Sequence, residues 1–183
     1  MNDRLRWHQT WRRAPRALAL GRLLASLLAA LPALLHAQIA TCTVSSSGLA
    51  FGAYQPLSFA GKLHSVDQTS SATISLSCLG VLPTGYKLSL GPGNYGSGNR
   101  ISPRYLQNLS QVGDPMQFNV YTDAAYSSIW SDGMTAGPPF TGTIPIGLSQ
   151  RNHTAYGRIP GGQSTLKAGQ YADTLTMTLS FTP

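Results

Sequence analysis

The sequence contains no glutamate, and its six carboxylate side chains are all aspartates, scattered from Asp3 to Asp173. Without two acids close in sequence, nothing marks a general acid–base couple. Histidine is nearly as scarce. Beyond the first 37 residues only His64 and His153 remain, with no Gly-x-Ser-x-Gly elbow and no His-Glu-x-x-His array to place them in a reactive set. Cys42 and Cys78 have no third and fourth ligand at zinc spacing. We therefore assign no catalytic residue, no metal site and no cofactor, and expect a protein that is not an enzyme. Charged residues make up only 10% of the chain, and no amphipathic helical period follows the first 37 residues.

The formal net charge of +7 suggests a nucleic-acid or membrane-surface partner, but its distribution removes that reading. Arg4, Arg6, Arg12, Arg13, Arg16 and Arg22 lie at the start of the chain, opposed only by Asp3. From Gln38 onward seven basic residues face five acids, a balance of +2, so no nucleic-acid partner is expected. An Arg-rich opening, an apolar run over residues 23–35 and the step from Ala37 to Gln38 read as a signal peptide cleaved after Ala37. Export follows, and no later run is apolar enough to span a membrane. Residues 38–183 are long enough for one domain with a core of its own. In an exported chain the even cysteine count reads as one disulfide, Cys42 to Cys78, stabilising by roughly 3–4 kcal/mol in the chain-entropy model.

What is abundant is Gly, Ser and Thr, with Gly/Pro turns between short alternating stretches. The clearest alternation closes the chain: Leu175, Met177, Leu179 and Phe181 fall on one face, and Thr174, Thr176, Thr178 and Ser180 on the other. Such a strand either pairs on both sides or leaves an apolar edge open to another chain. Residues 41–44 begin an irregular first strand that continues past Leu49 and Phe51. Residues 71–79 and 85–90 give two further strands, and the former turns Cys78 toward the core. Residues 116–122, 142–148 and 153–159 follow, the segment 142–148 carrying Ile144, Ile146 and Leu148 on one face. About seven strands and no helix predict an all-β, immunoglobulin-like sandwich.

Bland roles are expected for the remaining conspicuous residues. His153 is read as a surface residue on a strand edge. Asp173 is expected to meet Arg158 or a loop amide. Trp130 and Tyr54 are read as core packing in preference to sugar stacking. Gly96 and Gly98 precede no helix and so make no phosphate cradle. The glycosylation-type triplets at Asn108 and Asn152 are expected by chance in so Ser/Thr-rich a chain.

Several motifs together are more specific. Cys42-Thr-Val, Phe51-Gly52-Ala-Tyr54-Gln-Pro56, the second Cys78 and Arg104-Tyr-Leu stand in the first half. Phe118-Asn-Val-Tyr121-Thr-Asp123, Trp130-Ser-Asp132-Gly133, Tyr156-Gly157-Arg158-Ile159-Pro160 and Gly169-Gln-Tyr171-Ala-Asp173-Thr stand in the second. This set resembles the spore coat protein U domain family, which includes the Csu-type subunits of archaic chaperone–usher pili. The resemblance implies an incomplete sandwich, lacking its last strand, that is exported to the periplasm and held by a dedicated pilus chaperone. An outer-membrane usher and neighbouring pilus subunits would be its other partners, one of which supplies the completing strand. By the same carry-over Leu175, Met177, Leu179 and Phe181 border a donor-strand groove, with Leu49 and Phe51 on its far side. One departure bears on position: cleavage after Ala37 leaves four residues before Cys42, which span at most roughly 14 Å. So short a segment cannot act as a donor, which implies a place at a pilus tip or an accessory secreted protein.

Overall fold

Period-2 burial organises nearly every element. In the computed structural model, which describes residues 40–56, 66–95, 101–111, 113 and 115–182, strand β2 (Gln68–Gly80) buries Ala72, Ile74, Leu76 and Cys78 and exposes Thr73, Ser77 and Leu79. Strand β3 (Thr84–Leu90) does the same with Tyr86, Leu88 and Leu90. One face of each is apolar because only one face meets a core.

The other elements are β1 (Ala40–Ser46), β4 (Arg104–Asn108), β5 (Met116–Tyr121), β6 (Phe140–Ile144), β7 (Gly147–Ile159), the two-residue β8 (Tyr171–Ala172) and β9 (Met177–Thr182). They form two antiparallel sheets, one ordered β1-β2-β7-β5-β4-β8 and the other β6-β3-β9. The fold is an all-β sandwich of immunoglobulin-like type, and no helix occurs among the described residues. Ile74, Leu76, Leu88, Val120, Trp130, Ile144 and Ile159, each at most 2% exposed, fill the space between the sheets.

The long β2–β7 ladder is the backbone of the larger sheet, thirteen pairs from Gln68 with Ile159 to Gly80 with Gly147. β1 lies at its edge, in register with β2, so that Cys42 pairs directly with Cys78 and the two form the expected disulfide.

Several expectations are corrected. The stretch 142–148 is not one strand: β6 ends at Ile144, Pro145 breaks the ladder, and β7 begins at Gly147 with a left-handed φ of 87°. Ile144 is consequently buried, whereas Ile146 and Leu148 are exposed. The separate stretch 153–159 is the second half of β7. The closing strand is divided into β8 and β9, with residues 173–176 between them in neither sheet. The first strand ends at Ser46, and Leu49 and Phe51 belong to an irregular segment that packs on the core. Strand β4 went unpredicted. The signal-peptide reading of residues 1–37, with its Ala37 and Gln38 junction, lies outside the described residues, as do His64, Gly96 and Gly98.

Candidate functional site

The three-stranded sheet ends at β9, which pairs with β3 and with no other strand among the described residues. Beyond that edge lies a cleft of about 1130 Å³. One wall is the segment around Leu49, Phe51 and Tyr54, and the other is formed by residues 166–175 with Met177. Its floor is the core itself, including Leu90, Leu106, Phe118, Trp130 and Ile159. The volume exceeds the range of ordinary small-ligand pockets, roughly 300–1,000 Å³.

The walls are held by specific contacts. Gly157 on β7 lets the first wall lie close: a β-carbon there would stand 2.6 Å from Cζ of Phe51 and 3.0 Å from Cδ1 of Leu49. The Phe51 ring meets Phe118 edge-on, with centroids 6.3 Å apart. Tyr54 donates its hydroxyl hydrogen to the Pro160 carbonyl at 2.9 Å, and its oxygen accepts from the Gln163 amide at 3.1 Å. The Ala50 amide donates to Ser70 Oγ. On the opposite wall the Tyr171 hydroxyl donates to the Lys167 carbonyl at 2.7 Å, and the Asn108 side chain fills the space beside Gly169. Asp173 accepts from the amides of Asn94 and Thr174 through Oδ1, so its partner is a loop amide and not Arg158. Arg158 pairs instead with Asp67, its Nε 2.6 Å from Oδ2, while Tyr156 is half-buried beside it on β7.

Of the residues assigned to a groove, Leu49, Phe51, Leu175 and Met177 line this cleft. Leu179 packs against the core outside the lining, and Phe181, 36% exposed, lies opposite Tyr86 near the end of β9. The alternation of the closing strand holds, yet Leu175, Met177 and Leu179 are only half-buried, an apolar face still partly open.

Trp130 is 1% exposed and donates Nε1–H to the Leu88 carbonyl at 2.8 Å, so no face of its indole is free to stack on a sugar. Gly52 and Gly133 sit at left-handed φ values of 73° and 87° and serve turns. Each described carboxylate accepts at least one hydrogen bond, although Oδ2 of Asp173 is buried without one. Asp123 accepts from Ala125, Ser127 and Ser128, and Asp132 from Met134 and Thr135, which holds both well below the usual carboxylate range and closes the loops between β5 and β6. Among the described residues no three His, Cys, Asp or Glu side chains cluster as metal ligands.

Two residues depart from expectation. His153 is not on a strand edge: it lies within β7, half-buried, with Nε2 2.8 Å from the Tyr86 hydroxyl and its ring stacked on Phe140 at 4.5 Å. Burial lowers its pKa. Arg104, quoted only as part of a motif, is fully buried and bonds to the carbonyls of Leu90, Gly91 and Trp130 and to Oδ1 of Asn119 at 2.7–3.0 Å. Burial pulls its pKa down to about 10, so it stays charged at neutral pH. A buried cation tying β3, β4 and the Trp130 loop together leaves no periodic signal in a sequence.

These features define an antiparallel β-sandwich with one unpaired sheet edge over an apolar cleft. The Spore Coat Protein U domain model matches residues 27–178, and the chain belongs to that family. No curated protein matches the sequence. Among solved structures it is similar to the crystal structure of a chaperone–tip adhesion subunit pre-assembly complex from archaic chaperone-usher Csu pili of Acinetobacter baumannii, with 16% identity and a TM-score of 0.51. That match takes in 78% of this chain and 40% of the other, and it concerns the fold. No helix of the described residues is long and apolar enough to cross a membrane.

Proposed function

We propose that this chain is an exported, non-enzymatic subunit of a chaperone–usher pilus, and that its cleft accepts an extended strand donated by another polypeptide. The observation that carries this reading is the unpaired edge of β9 beside a cleft whose floor is the hydrophobic core. A strand laid along β9 would satisfy that edge by main-chain hydrogen bonds, and its alternate side chains would cover Leu175, Met177, Leu90 and Phe118. Leu49 and Phe51 would close over it from the other side. In the periplasm the strand would come from a pilus chaperone, and after passage through the outer-membrane usher it would come from a neighbouring subunit.

Cleavage after Ala37 would leave this subunit without a donor strand of its own. β1 already uses Ala40 and Thr41 in its ladder with β2, so only two residues, Gln38 and Ile39, separate that cleavage point from Ala40 in the sequence. We place the subunit at a pilus tip on that ground. The test is periplasmic production with and without a candidate pilus chaperone, followed by size exclusion. We expect accumulation as a one-to-one complex, lost in Met177→Asp. A cooperative monomer that folds alone overturns the open-cleft reading and favours a self-contained secreted coat protein.

A further inference from the structure

Tyr126 holds a left-handed φ of 56°, the one non-glycine among the described residues to do so. A bulky side chain is strained there, where glycine is at ease, and strain of this kind collects at binding sites. Asp123 enforces it. Its carboxylate accepts from the amides of Ala125, Ser127 and Ser128, and its carbonyl accepts from the amide of Tyr126. The Tyr126 ring is thereby set edge-on against Tyr121, with centroids 5.5 Å apart, and the Arg158 guanidinium lies over it at 5.8 Å.

Tyr121 and Arg158 also line a pocket of about 280 Å³ on the outer face of the larger sheet. Asn119 pairs with Arg158 across the β5–β7 ladder, and Tyr121 with Tyr156, while Phe118, Val120 and Ile159 turn the other way into the core. Asn119 is a fixed part of the lining: it is 5% exposed, its Oδ1 accepts from Arg104 Nη1 at 2.7 Å, and its Nδ2 donates to the Ile101 carbonyl at 2.9 Å. Pro103 and Ile129 add apolar surface. Polar groups are left over. Asp67 takes Nε and Nη2 of Arg158, whereas Nη1 and the Tyr121 hydroxyl have no partner among the described residues. We propose that this pocket binds one ring of a neutral pyranose glycan.

Chemistry selects that ligand. A pyranose presents adjacent hydroxyls, each both donor and acceptor, around a ring with an apolar C–H face. Arg158 Nη1 donates, the Tyr121 hydroxyl does either, and so does the side-chain amide of exposed Gln117, whose backbone alone is bonded to Gln163. Pro103 and Ile129 suit the C–H face. Charge is balanced: burial raises the pKa of Tyr121, and the charged groups that bear on it are Arg158, Asp67, Arg104 and Asp123, two of each sign. An anion would compete with Asp67 for Arg158, and a cation would meet the guanidinium. The volume falls just under the range of drug-sized pockets, roughly 300–1,000 Å³, and so suits one ring. The cleft shares Phe118 with this lining and no other residue, so the proposal stands apart from the strand-acceptor reading.

The test is saturation-transfer NMR on the exported chain, in whatever assembly the periplasm yields it. The probes are the methyl glycosides of glucose, galactose and mannose, with glucuronate and choline beside them. We expect transfer to at least one neutral glycoside, with a Kd of about 1 mM, and less to either ion. Tyr121→Phe, which removes only a hydroxyl, should weaken binding about fivefold, and Arg158→Leu about tenfold. Tyr126→Asn separates binding from structure. Asparagine accepts the left-handed φ, so the urea midpoint should hold or rise while transfer falls. Transfer to none of the three glycosides overturns the proposal, as does transfer unchanged in Tyr121→Phe and Arg158→Leu, which would put the sugar elsewhere on the assembly. A Tyr126→Asn chain that loses stability but keeps its transfer overturns it too, because the ring would then serve the loop alone. Stronger transfer to glucuronate or choline than to any neutral glycoside overturns it in favour of an ion site.

Discussion

Arg104 and His153 carry unusual weight because each joins parts of the sandwich that hydrophobic contact alone leaves loosely defined. Arg104 reaches the end of β3 and the Trp130 loop through neutral acceptors. Truncation would strand several buried carbonyls, each costing about 1–3 kcal/mol. We expect Arg104→Met to lower stability by about 3 kcal/mol, read as a reduced urea midpoint at unchanged slope. His153 reports on pH. Its neutral ring faces Tyr86 from β3 and Phe140 from β6, with Arg151 on its own strand as the nearby charge, and burial lowers its pKa below the ordinary 6.5. The unfolded chain then takes up the proton first, so stability is full above about 6.5 and falls as pH drops toward the folded value. His153→Gln should flatten this part of a urea-midpoint profile between pH 7.5 and 5. The losses from Asp123 and Asp132 belong to lower pH, below the ordinary carboxylate value, because their folded pKa values are depressed. Neither long-range bond was legible in the sequence, since partners such as Trp130 and Tyr86 lie tens of residues away and no local pattern announces them.

At the scale of elements, period 2 was enough to find β2, β3, β5 and the closing strand, because each buries one face. It misled at Ile144, Ile146 and Leu148, whose alternation continues across a proline turn into a strand whose first half covers no core. The same periodicity thus joined a buried β6 end to the exposed start of β7. It also left β4 unread, a five-residue strand whose inward positions include a buried arginine in place of an aliphatic side chain. The cysteine pair, by contrast, was fully legible, and it ties the edge strand β1 to β2. Replacing both cysteines by serine should cost roughly 3–4 kcal/mol by opening that loop in the unfolded chain. Hydrogen exchange should show the loss first in β1, which has a neighbour on one side only. Gly157 sets how closely the Leu49 and Phe51 segment approaches β7. Gly157→Ala should push the Phe51 ring toward the cleft and destabilise by about 1–3 kcal/mol, the usual cost of overpacking.

At the scale of the molecule, a sandwich with a floor but an unfilled edge is expected to gain stability from an added strand. A closed sandwich would gain none. The apolar closing strand hinted at this, because an alternating strand either pairs on both sides or leaves an apolar edge open. The cleft itself could not be read, since its floor comes from β2, β3, β4, β5 and β7 together. Under the proposed function, a synthetic peptide of alternating apolar residues should bind in trans and stabilise by about 2.7 kcal/mol at a hundredfold excess over its Kd. For a domain of this size that corresponds to a rise in Tm of about 5–10 °C. The same peptide with its alternation shifted by one residue presents its polar face to the cleft and should give no rise. Leu175→Asp should abolish the shift while leaving Cys42 and Cys78 oxidised, since neither lines the cleft. A rise of equal size with both peptides would mean that apolar mass alone, and not a register-specific strand, occupies the cleft.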